Sequence, residues 1–196
     1  MKKLILIILI AFLGCNEVVP PRIHDTNEIV NTIVADDSLN LKKDSGIMVC
    51  EDLIKINIYH PAKGKDGLNL PPEPPFNKVS INDLMNTKIN GLPFFSSKDS
   101  LSLIDQNPEL LKHKIINSTL EKINPTTKEK EISKRKTGQP YNYYEMTIPV
   151  FSADNTKAYI QLNHYCGGLC GSGTAIYLSK SNGKWKVIDK HEIWIS

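Results

Sequence analysis

The fold is decided by residues 158–195, AYIQLNHYCGGLCGSGTAIYLSKSNGKWKVIDKHEIWI. Apolar and polar residues alternate along much of this stretch, as they do in strands that bury one face. Asn182-Gly183 separates the last two alternating segments, and this dipeptide favours the type I′ turn of a two-residue β-hairpin. The sequence therefore predicts an antiparallel meander of four successive strands, at 141–150, 158–166, 174–180 and 184–195. Trp185 and Trp194 are nine positions apart in the last strand, so we expect them on opposite faces unless a bulge intervenes.

The residues that precede the meander predict a helix and a further strand. Asp25 and Glu28 have the spacing of a capping box at the start of a helix. Four apolar residues then form a stripe at helical spacing: Ile29, Val30, Ile33 and Val34. Residues 52–59 alternate, and this pattern predicts a strand that buries one face. The predicted buried residues of that strand are Ile54, Ile56 and Ile58.

Two shorter helices and a hairpin are expected between these segments and the meander. One helix begins at Ser80, and the other begins near Ser96 or Ser97 and ends before Pro108. The inward residues of the second are predicted to be Leu101, Leu103 and Ile104. Residues 114–123 and 128–136 flank a turn-like Asn124-Pro125-Thr126-Thr127, so they predict a hairpin with a charged edge strand. Lys134-Arg135-Lys136 is alternatively a patch for lipid headgroups or an anionic polymer. The predicted class is α+β, with N-terminal helices packed on one face of a C-terminal antiparallel β-meander.

The first residues indicate where the protein resides. Lys2 and Lys3 precede an unbroken apolar run of ten residues, 4–13, which is too short to span a bilayer but suits a secretory signal peptide. Gly14-Cys15 ends the run. This order of features resembles the lipobox of bacterial lipoproteins, which implies a lipid attached to Cys15; the alternative is an ordinary secretory signal with a chance cysteine. The predicted organisation is a signal peptide at 1–14, a lipidated extended tether at 15–24, and one domain at 25–196 with a proline-rich loop at 60–76.

Composition narrows the function classes. The chain has 196 residues, 40% hydrophobic and 23% charged, which argues against a disordered protein. Its net charge of +3 falls to +1 when Lys2 and Lys3 leave with the signal peptide, because 22 basic residues then face 21 acidic ones. Such a balance argues against nucleic-acid binding. The five histidines fall into no HExxH or Ser-His-Asp pattern, so we assign no catalytic residue, no metal site and no cofactor.

The segment Tyr165-Cys166-Gly167-Gly168-Leu169-Cys170-Gly171-Ser172-Gly173 is the most unusual constellation in the chain. A disulfide between Cys166 and Cys170 would close a small loop in the oxidising envelope, worth roughly 2 kcal/mol. The open alternatives are a redox or copper site that recruits His164, a structural zinc site, and a nucleophilic cysteine. The candidate binding residues are His164, Gly167, Gly168, Gly171 and Gly173. Cys50 lies in an apolar run and is expected to be a buried free thiol, although a bond to Cys166 or Cys170 stays open.

The C-terminal third also resembles a family of bacterial lipoproteins. The resemblance rests on PVFSADN at 149–155, CGGLCG at 166–171 and GKWKV at 183–187. It implies a lipoprotein but no activity. The predicted shape, helices beside a curved sheet that ends in a tryptophan-bearing strand, is also similar to the fold that forms the pocket of NTF2-like proteins. This similarity concerns the fold only.

These observations predict a lipid-anchored cell-envelope protein, facing the periplasm or the cell surface, with a non-catalytic binding or interaction role. Its expected partners are the membrane, through the lipid anchor, and another envelope protein. The alternative function is thiol-redox or copper handling by Cys166 and Cys170.

Overall fold

The computed structural model describes residues 21–62, 77–109, 113–168 and 170–196. The helices are α1 (Pro21–Ala35), α2 (Ile81–Asn86), α3 (Asp99–Glu109), α4 (Asn117–Leu120) and α5 (Lys128–Lys136). The strands of the main sheet are β1 (Met48–Cys50), β8 (Asn124–Thr126), β9 (Tyr143–Met146), β10 (Val150–Phe151), β11 (Lys157–Tyr165), β12 (Gly171–Ser181) and β13 (Lys184–Ile195). Six shorter strands pair outside it: β2 (Asp52–Leu53) with β7 (His113–Lys114), β3 (Asn57–Tyr59) with β4 (Lys78–Ser80), and β5 (Lys88–Ile89) with β6 (Leu92–Pro93). This is an α+β fold, as predicted.

The main sheet is mostly antiparallel, in the order β13-β12-β11-β9-β1-β8, with β10 also paired to β11. β11, β12 and β13 form the predicted meander with long antiparallel pairings. The predicted strand 141–150 is divided into β9 and β10, because Pro149 has no N–H to donate to a ladder. β1 pairs in parallel with both β8 and β9, a pairing that the sequence patterns do not predict.

Helices cover both faces of the sheet, so the expectation that they pack on one face is wrong. The α1 stripe of Ile29, Val30, Ile33 and Val34 is buried against one face, with Ile160, Leu162, Ile176 and Leu178 of the meander. On the other face, Tyr159, Ala175 and Tyr177 pack with Ile81 and Leu84 of α2 and Leu103 of α3. Successive side chains of a strand point to opposite faces, so β11 and β12 contribute to both cores.

The first helix begins earlier than predicted. α1 begins at Pro21, so residues 21–24 are helical and are not part of an extended tether. Proline suits the first helical position, where its missing N–H is not needed. Asp25 is consequently inside the helix and not at its N-cap, and its carboxylate is buried. The Asp25 Oδ1 atom accepts hydrogen bonds from Lys180 Nζ and, at 3.0 Å, from Trp185 Nε1.

The predicted hairpin at 114–136 is wrong. Residues 128–136 form α5, and β8 occupies most of the expected turn. Thr127 Oγ1 caps α5 by accepting from the Lys130 N–H at 3.3 Å, acidic residues occupy its first turn, and Lys134, Arg135 and Lys136 occupy its last. This charge order complements the helix dipole. Glu131 is fully buried and accepts from Thr126 Oγ1 at 2.6 Å and from Lys134 Nζ at 2.8 Å.

Of three further expectations, two need adjustment and one is confirmed. The predicted strand 52–59 is divided into β2 and β3, although Ile56 and Ile58 are buried as expected. α2 begins after Ser80, whose Oγ accepts from the Asn82 N–H at 3.1 Å, as predicted. α3 continues past Pro108 to Glu109, and Leu101 is 75% exposed instead of facing inward. The signal peptide, Cys15 and most of the proline-rich loop 60–76 lie outside the described residues. No helix within the described residues is long and apolar enough to cross a bilayer.

Candidate functional site

The predicted Cys/Gly segment forms a tight turn between β11 and β12. The Cys166 and Cys170 sulfur atoms lie at bonding distance, and their Cα atoms are 5.1 Å apart. The Cys166 N–H donates to the Cys170 carbonyl at 3.1 Å, and the Cys170 N–H donates to the Gly167 carbonyl at 2.9 Å. Gly167 and Gly168 have φ values of 82° and 57°, which glycine adopts without strain. This geometry favours a structural staple, because a paired sulfur offers no thiolate to a metal or substrate.

Gly171 and Gly173, also predicted as binding residues, make room for a side chain of the protein itself. A Cβ atom at Gly173 would lie 1.9 Å from Trp194 Nε1, and one at Gly171 would lie 3.0 Å from the Trp194 ring. The Trp194 Nε1–H donates to Asn163 Oδ1 at 3.1 Å. The indole of Trp194 therefore occupies the space that the two glycines leave.

His164 is held by its neighbours and is not part of a ligand cluster. Its Nε2 lies 2.7 Å from Asn142 Oδ1, and its ring stacks on Tyr144 at 4.3 Å between centroids. Burial lowers the pKa of His164. Within the described residues, the one group of three potential metal-ligating side chains is His24, Asp25 and Glu28, so His164 does not join the two cysteines in such a group.

Cys50 is a free and buried cysteine, as predicted. Burial, followed by the nearby Glu145 and Glu131 carboxylates, raises the pKa of its thiol to about 12. A thiol with such a pKa is protonated at neutral pH and is a poor nucleophile. Cys50 is therefore a residue of the core and not a reactive group.

The group of His24, Asp25 and Glu28 has its potential ligand atoms within 4.8 Å of one another. However, Lys180 Nζ already contacts Asp25 Oδ1, so an ammonium group neutralises the most buried carboxylate of the three. This contact ties α1 to the meander, and the group carries no argument for a metal.

A cavity among the described residues lies on the sheet face that α2 covers. We call it the tyrosine cleft and define it by Tyr59, Asp83, Tyr159, Gln161, Tyr177 and His191. It has a volume of about 350 Å³, near the lower end of the range of about 300–1,000 Å³ for small-molecule sites. β11, β12 and β13 supply its sheet wall, and α2 with β3 and β4 supplies the opposite wall.

Aromatic rings form one wall of the tyrosine cleft. The Tyr159 and Tyr177 rings are 5.1 Å apart between centroids, and His191 stacks on Tyr177 at 5.4 Å. Burial raises the pKa of both phenols, so both are protonated at neutral pH. Thr87 Oγ1 donates to the Asp83 carbonyl at 2.8 Å, so at the 3.2 Å contact the Tyr177 hydroxyl is the donor to Thr87 Oγ1.

The side-chain amide of Gln161 has one acceptor without a donor. Its Nε2 group donates to the Lys78 carbonyl at 3.0 Å and to Tyr159 Oη at 2.9 Å. The Lys78 carbonyl fixes the orientation of the amide, because the opposite orientation would place two acceptors together. Gln161 is 1% exposed, and no described residue donates a hydrogen bond to its Oε1 atom. A buried acceptor without a partner costs about 1–3 kcal/mol.

No sequence pattern predicts the tyrosine cleft, because its residues lie in strands and helices that are distant along the chain. One signal was available. Gln161 and Asn163 are polar residues inside a strongly apolar strand segment, where buried polar groups are uncommon. That signal indicates a special position, but it identifies neither the facing helix nor the cavity.

Comparisons of this chain with known proteins found no relative. No protein-family model, no curated protein and no solved structure matches the chain.

Proposed function

We propose that the protein is a lipid-anchored cell-envelope protein that binds a small ligand in the tyrosine cleft without catalysing a reaction. The anchor is supported by the order of Lys2 and Lys3, the apolar run 4–13 and Gly14-Cys15, and by the resemblance to bacterial lipoproteins. Two or three acyl chains bind a bilayer stably, at about 0.8 kcal/mol per buried methylene group. Such an anchor would hold the domain against the membrane, on its periplasmic or outer side.

One observation carries the binding proposal: a cavity of about 350 Å³ whose lining combines aromatic side chains with polar ones, among them Asp83 and His191. Ligand sites combine an apolar, aromatic lining with a few oriented polar groups, and the tyrosine cleft has both. The protonated phenols favour hydrogen bonding over nucleophilic chemistry.

The anchor is tested by metabolic labelling. The full chain is expressed in a bacterium that is fed an alkyne analogue of palmitate, next to a Cys15→Ser variant as the matched control. We expect label and membrane fractionation for the wild type and the loss of both for the variant. An unlabelled wild-type protein in the soluble fraction would contradict the anchor and leave the cleft proposal standing.

The cleft is tested by a fragment screen. Full-length protein in a polyoxyethylene detergent is screened by ¹⁹F NMR against a library of fluorinated ring compounds, with Asp83→Ala and Asn82→Ala variants beside the wild type. Asp83 lines the cleft, whereas its exposed neighbour Asn82 does not. We expect fragments that bind the wild type and the Asn82 variant but bind the Asp83 variant at least fivefold more weakly. If no fragment distinguishes the two variants, the cleft is not the binding site.

A further inference from the structure

We infer that one end of the domain rests on anionic lipid headgroups, an inference that depends on the proposed lipid anchor at Cys15. We call this surface the anchor end and define it by residues 21–24 of α1, the turn 153–156, the hairpin tip 181–184 and Lys98. The length of chain that follows Cys15, the contacts that gather these segments and the charges that they carry support this orientation.

The chain between the proposed lipid and the domain is short. Cys15 and Pro21 are six residues apart, so even a fully extended chain joins them over no more than about 22 Å. The start of α1 therefore lies within about that distance of the bilayer to which a lipid on Cys15 would be bound.

α1 begins at the same end of the sheet as the hairpin tip. Asp25 contacts Trp185 Nε1 at 3.0 Å, and Asp36, directly after the helix, accepts from Lys190 Nζ at 3.0 Å. The helix rises about 17 Å between these two contacts, and β13 extends about 17 Å between Trp185 and Lys190. α1 therefore runs beside β13 in the same direction, and residues 21–24 lie level with the hairpin tip.

The opposite orientation exceeds the reach of the chain. The Cys166–Cys170 turn lies at the other end of the β11–β12 ladder, whose nine residue pairs extend about 27 Å. If this turn faced the bilayer, the start of α1 would be farther from the lipid than the limit of about 22 Å. The anchor end or a side of the domain must therefore face the headgroups.

Two further segments lie beside the hairpin tip. The Lys180 N–H donates to the Thr156 carbonyl at 2.7 Å, which holds the turn 153–156 next to the tip. The Ala153 N–H donates to Asp99 Oδ1 at 2.9 Å, which brings the first residue of α3 to the same turn. Lys98 directly precedes α3 and is exposed, so it also lies at this end.

The charges favour the anchor end over a side of the domain. Its exposed charged side chains are three basic residues and one acidic residue: Arg22, Lys98, Lys184 and Asp154. Asp25 and Asp99 are buried, and the Lys180 ammonium contacts the Asp25 carboxylate. Anionic headgroups attract basic side chains within about a Debye length, about 10 Å at 0.1 M salt. Ile23 is 39% exposed and adds apolar surface for the headgroup region.

The test measures amide hydrogen exchange of the full-length, lipidated protein by mass spectrometry. The protein is placed in phosphatidylcholine vesicles, in vesicles of equal parts phosphatidylcholine and phosphatidylglycerol, and in a polyoxyethylene detergent. We expect residues 153–156 and 181–184 to exchange at least threefold more slowly in the anionic vesicles than in the other two samples, with no difference at the Cys166–Cys170 turn. Salt at about 1 M, where the Debye length is about 3 Å, should remove this protection.

The double variant Lys98→Glu, Lys184→Glu reverses two charges of the anchor end. Lys43→Glu, Lys122→Glu is the matched control, because both lysines are exposed and line a shallow cavity beside the C-terminal end of α1. We expect the first double variant to lose the protection by anionic vesicles and the control to keep it. The comparison of wild-type protein in the three samples needs no variant, so it tests the orientation even if one of them folds poorly.

The outcomes separate this inference from the anchor. A labelled, vesicle-bound wild-type protein without protection at 153–156 and 181–184 would overturn the inference and leave the anchor standing. Protection at the Cys166–Cys170 turn would overturn it as well. Equal protection in neutral and anionic vesicles, or protection that persists in Lys98→Glu, Lys184→Glu, would overturn the role of anionic headgroups. If the wild type carries no label and does not sediment with vesicles, the anchor and the inference both fail.

Discussion

Gly171 and Gly173 show how single residues without side chains shape the end of the meander. Their lack of a Cβ atom lets the Trp194 indole lie against β12, where its N–H reaches Asn163 Oδ1. Asn163 is completely buried, so this hydrogen bond satisfies a polar group that has no access to water. The glycine-rich sequence therefore serves a packing contact at these two positions, although a glycine-rich segment is equally typical of a binding loop.

At the residue scale, we predict that Gly173→Ala lowers the free energy of unfolding by about 1–3 kcal/mol. The added methyl group would meet Trp194 at 1.9 Å, so the indole must leave its place and its hydrogen bond to Asn163. Urea unfolding of the wild type and the variant measures the loss. In a Trp194→Ala background the same substitution should cost little, because the clash is gone. An equal loss in both backgrounds would contradict the packing role.

The β12–β13 hairpin is the element whose register orders the whole meander. Asn182 and Gly183 have φ values of 51° and 75°, as a type I′ turn requires, so this prediction is confirmed. The pairing shifts by one residue at two places, between Gly173 and Thr174 and between Tyr177 and Leu178. Two shifts restore the alternation, so Trp185 packs in the α1 core while Trp194 lies on the opposite face beside Gly173. The tryptophans are on opposite faces, as their spacing predicts.

At the scale of this element, Gly183→Val should lower the free energy of unfolding by about 1–2 kcal/mol, because a β-branched residue is strained at positive φ. Gly183→Asn is the matched control, since asparagine tolerates this conformation and no atom lies within 4 Å of the new Cβ position. Thermal and chemical unfolding of both variants measures the difference. Unchanged stability of the valine variant would count against the turn and the register that it sets.

The molecule as a whole has three layers packed through two apolar cores, and a few long-range polar contacts also join the layers. Asp25 of α1 accepts from Lys180 of β12 and from Trp185 of β13, so one buried carboxylate joins the first helix to the last hairpin. Gln106 of α3 makes a comparable link on the other face, where its side chain donates to the Phe151 carbonyl at 2.8 Å and accepts from the Phe151 N–H at 2.9 Å. These contacts orient the helices on the sheet, and α2 and the sheet then enclose the tyrosine cleft.

At the scale of the molecule, Asp25→Asn should lower the free energy of unfolding by about 2 kcal/mol, because a charged acceptor shared by two donors is lost. Lys180→Met is the matched partner variant, and a double-mutant cycle should give a coupling of more than about 0.5 kcal/mol. Hydrogen exchange should also show faster opening of α1 in the aspartate variant than in the wild type. Additive losses with unchanged exchange in α1 would contradict the role of Asp25 as a tie between layers.

Sequence patterns predicted the elements that depend on nearby residues. The ends of β13, the Asn182-Gly183 turn and the Ser80 cap of α2 agree with the structure, since each depends on the conformation of a few adjacent residues. The error at α5 has the same origin. The alternating charges by themselves predict an edge strand, whereas the Thr127 cap and the order of acidic and basic residues favour a helix.

The sequence by itself determined the α+β class, the meander and the buried state of Cys50, because alternation and turn chemistry are local properties of the chain. Only the tertiary structure decided which side chains meet. It placed Trp194 in the space beside Gly173, enclosed Asp25 under the last hairpin, and gathered Tyr59, Asp83, Gln161 and His191 around one cavity. Such contacts join residues up to 160 positions apart, as Asp25 and Trp185 are. They depend on how the layers pack, and neither periodicity nor spacing along the chain encodes that packing.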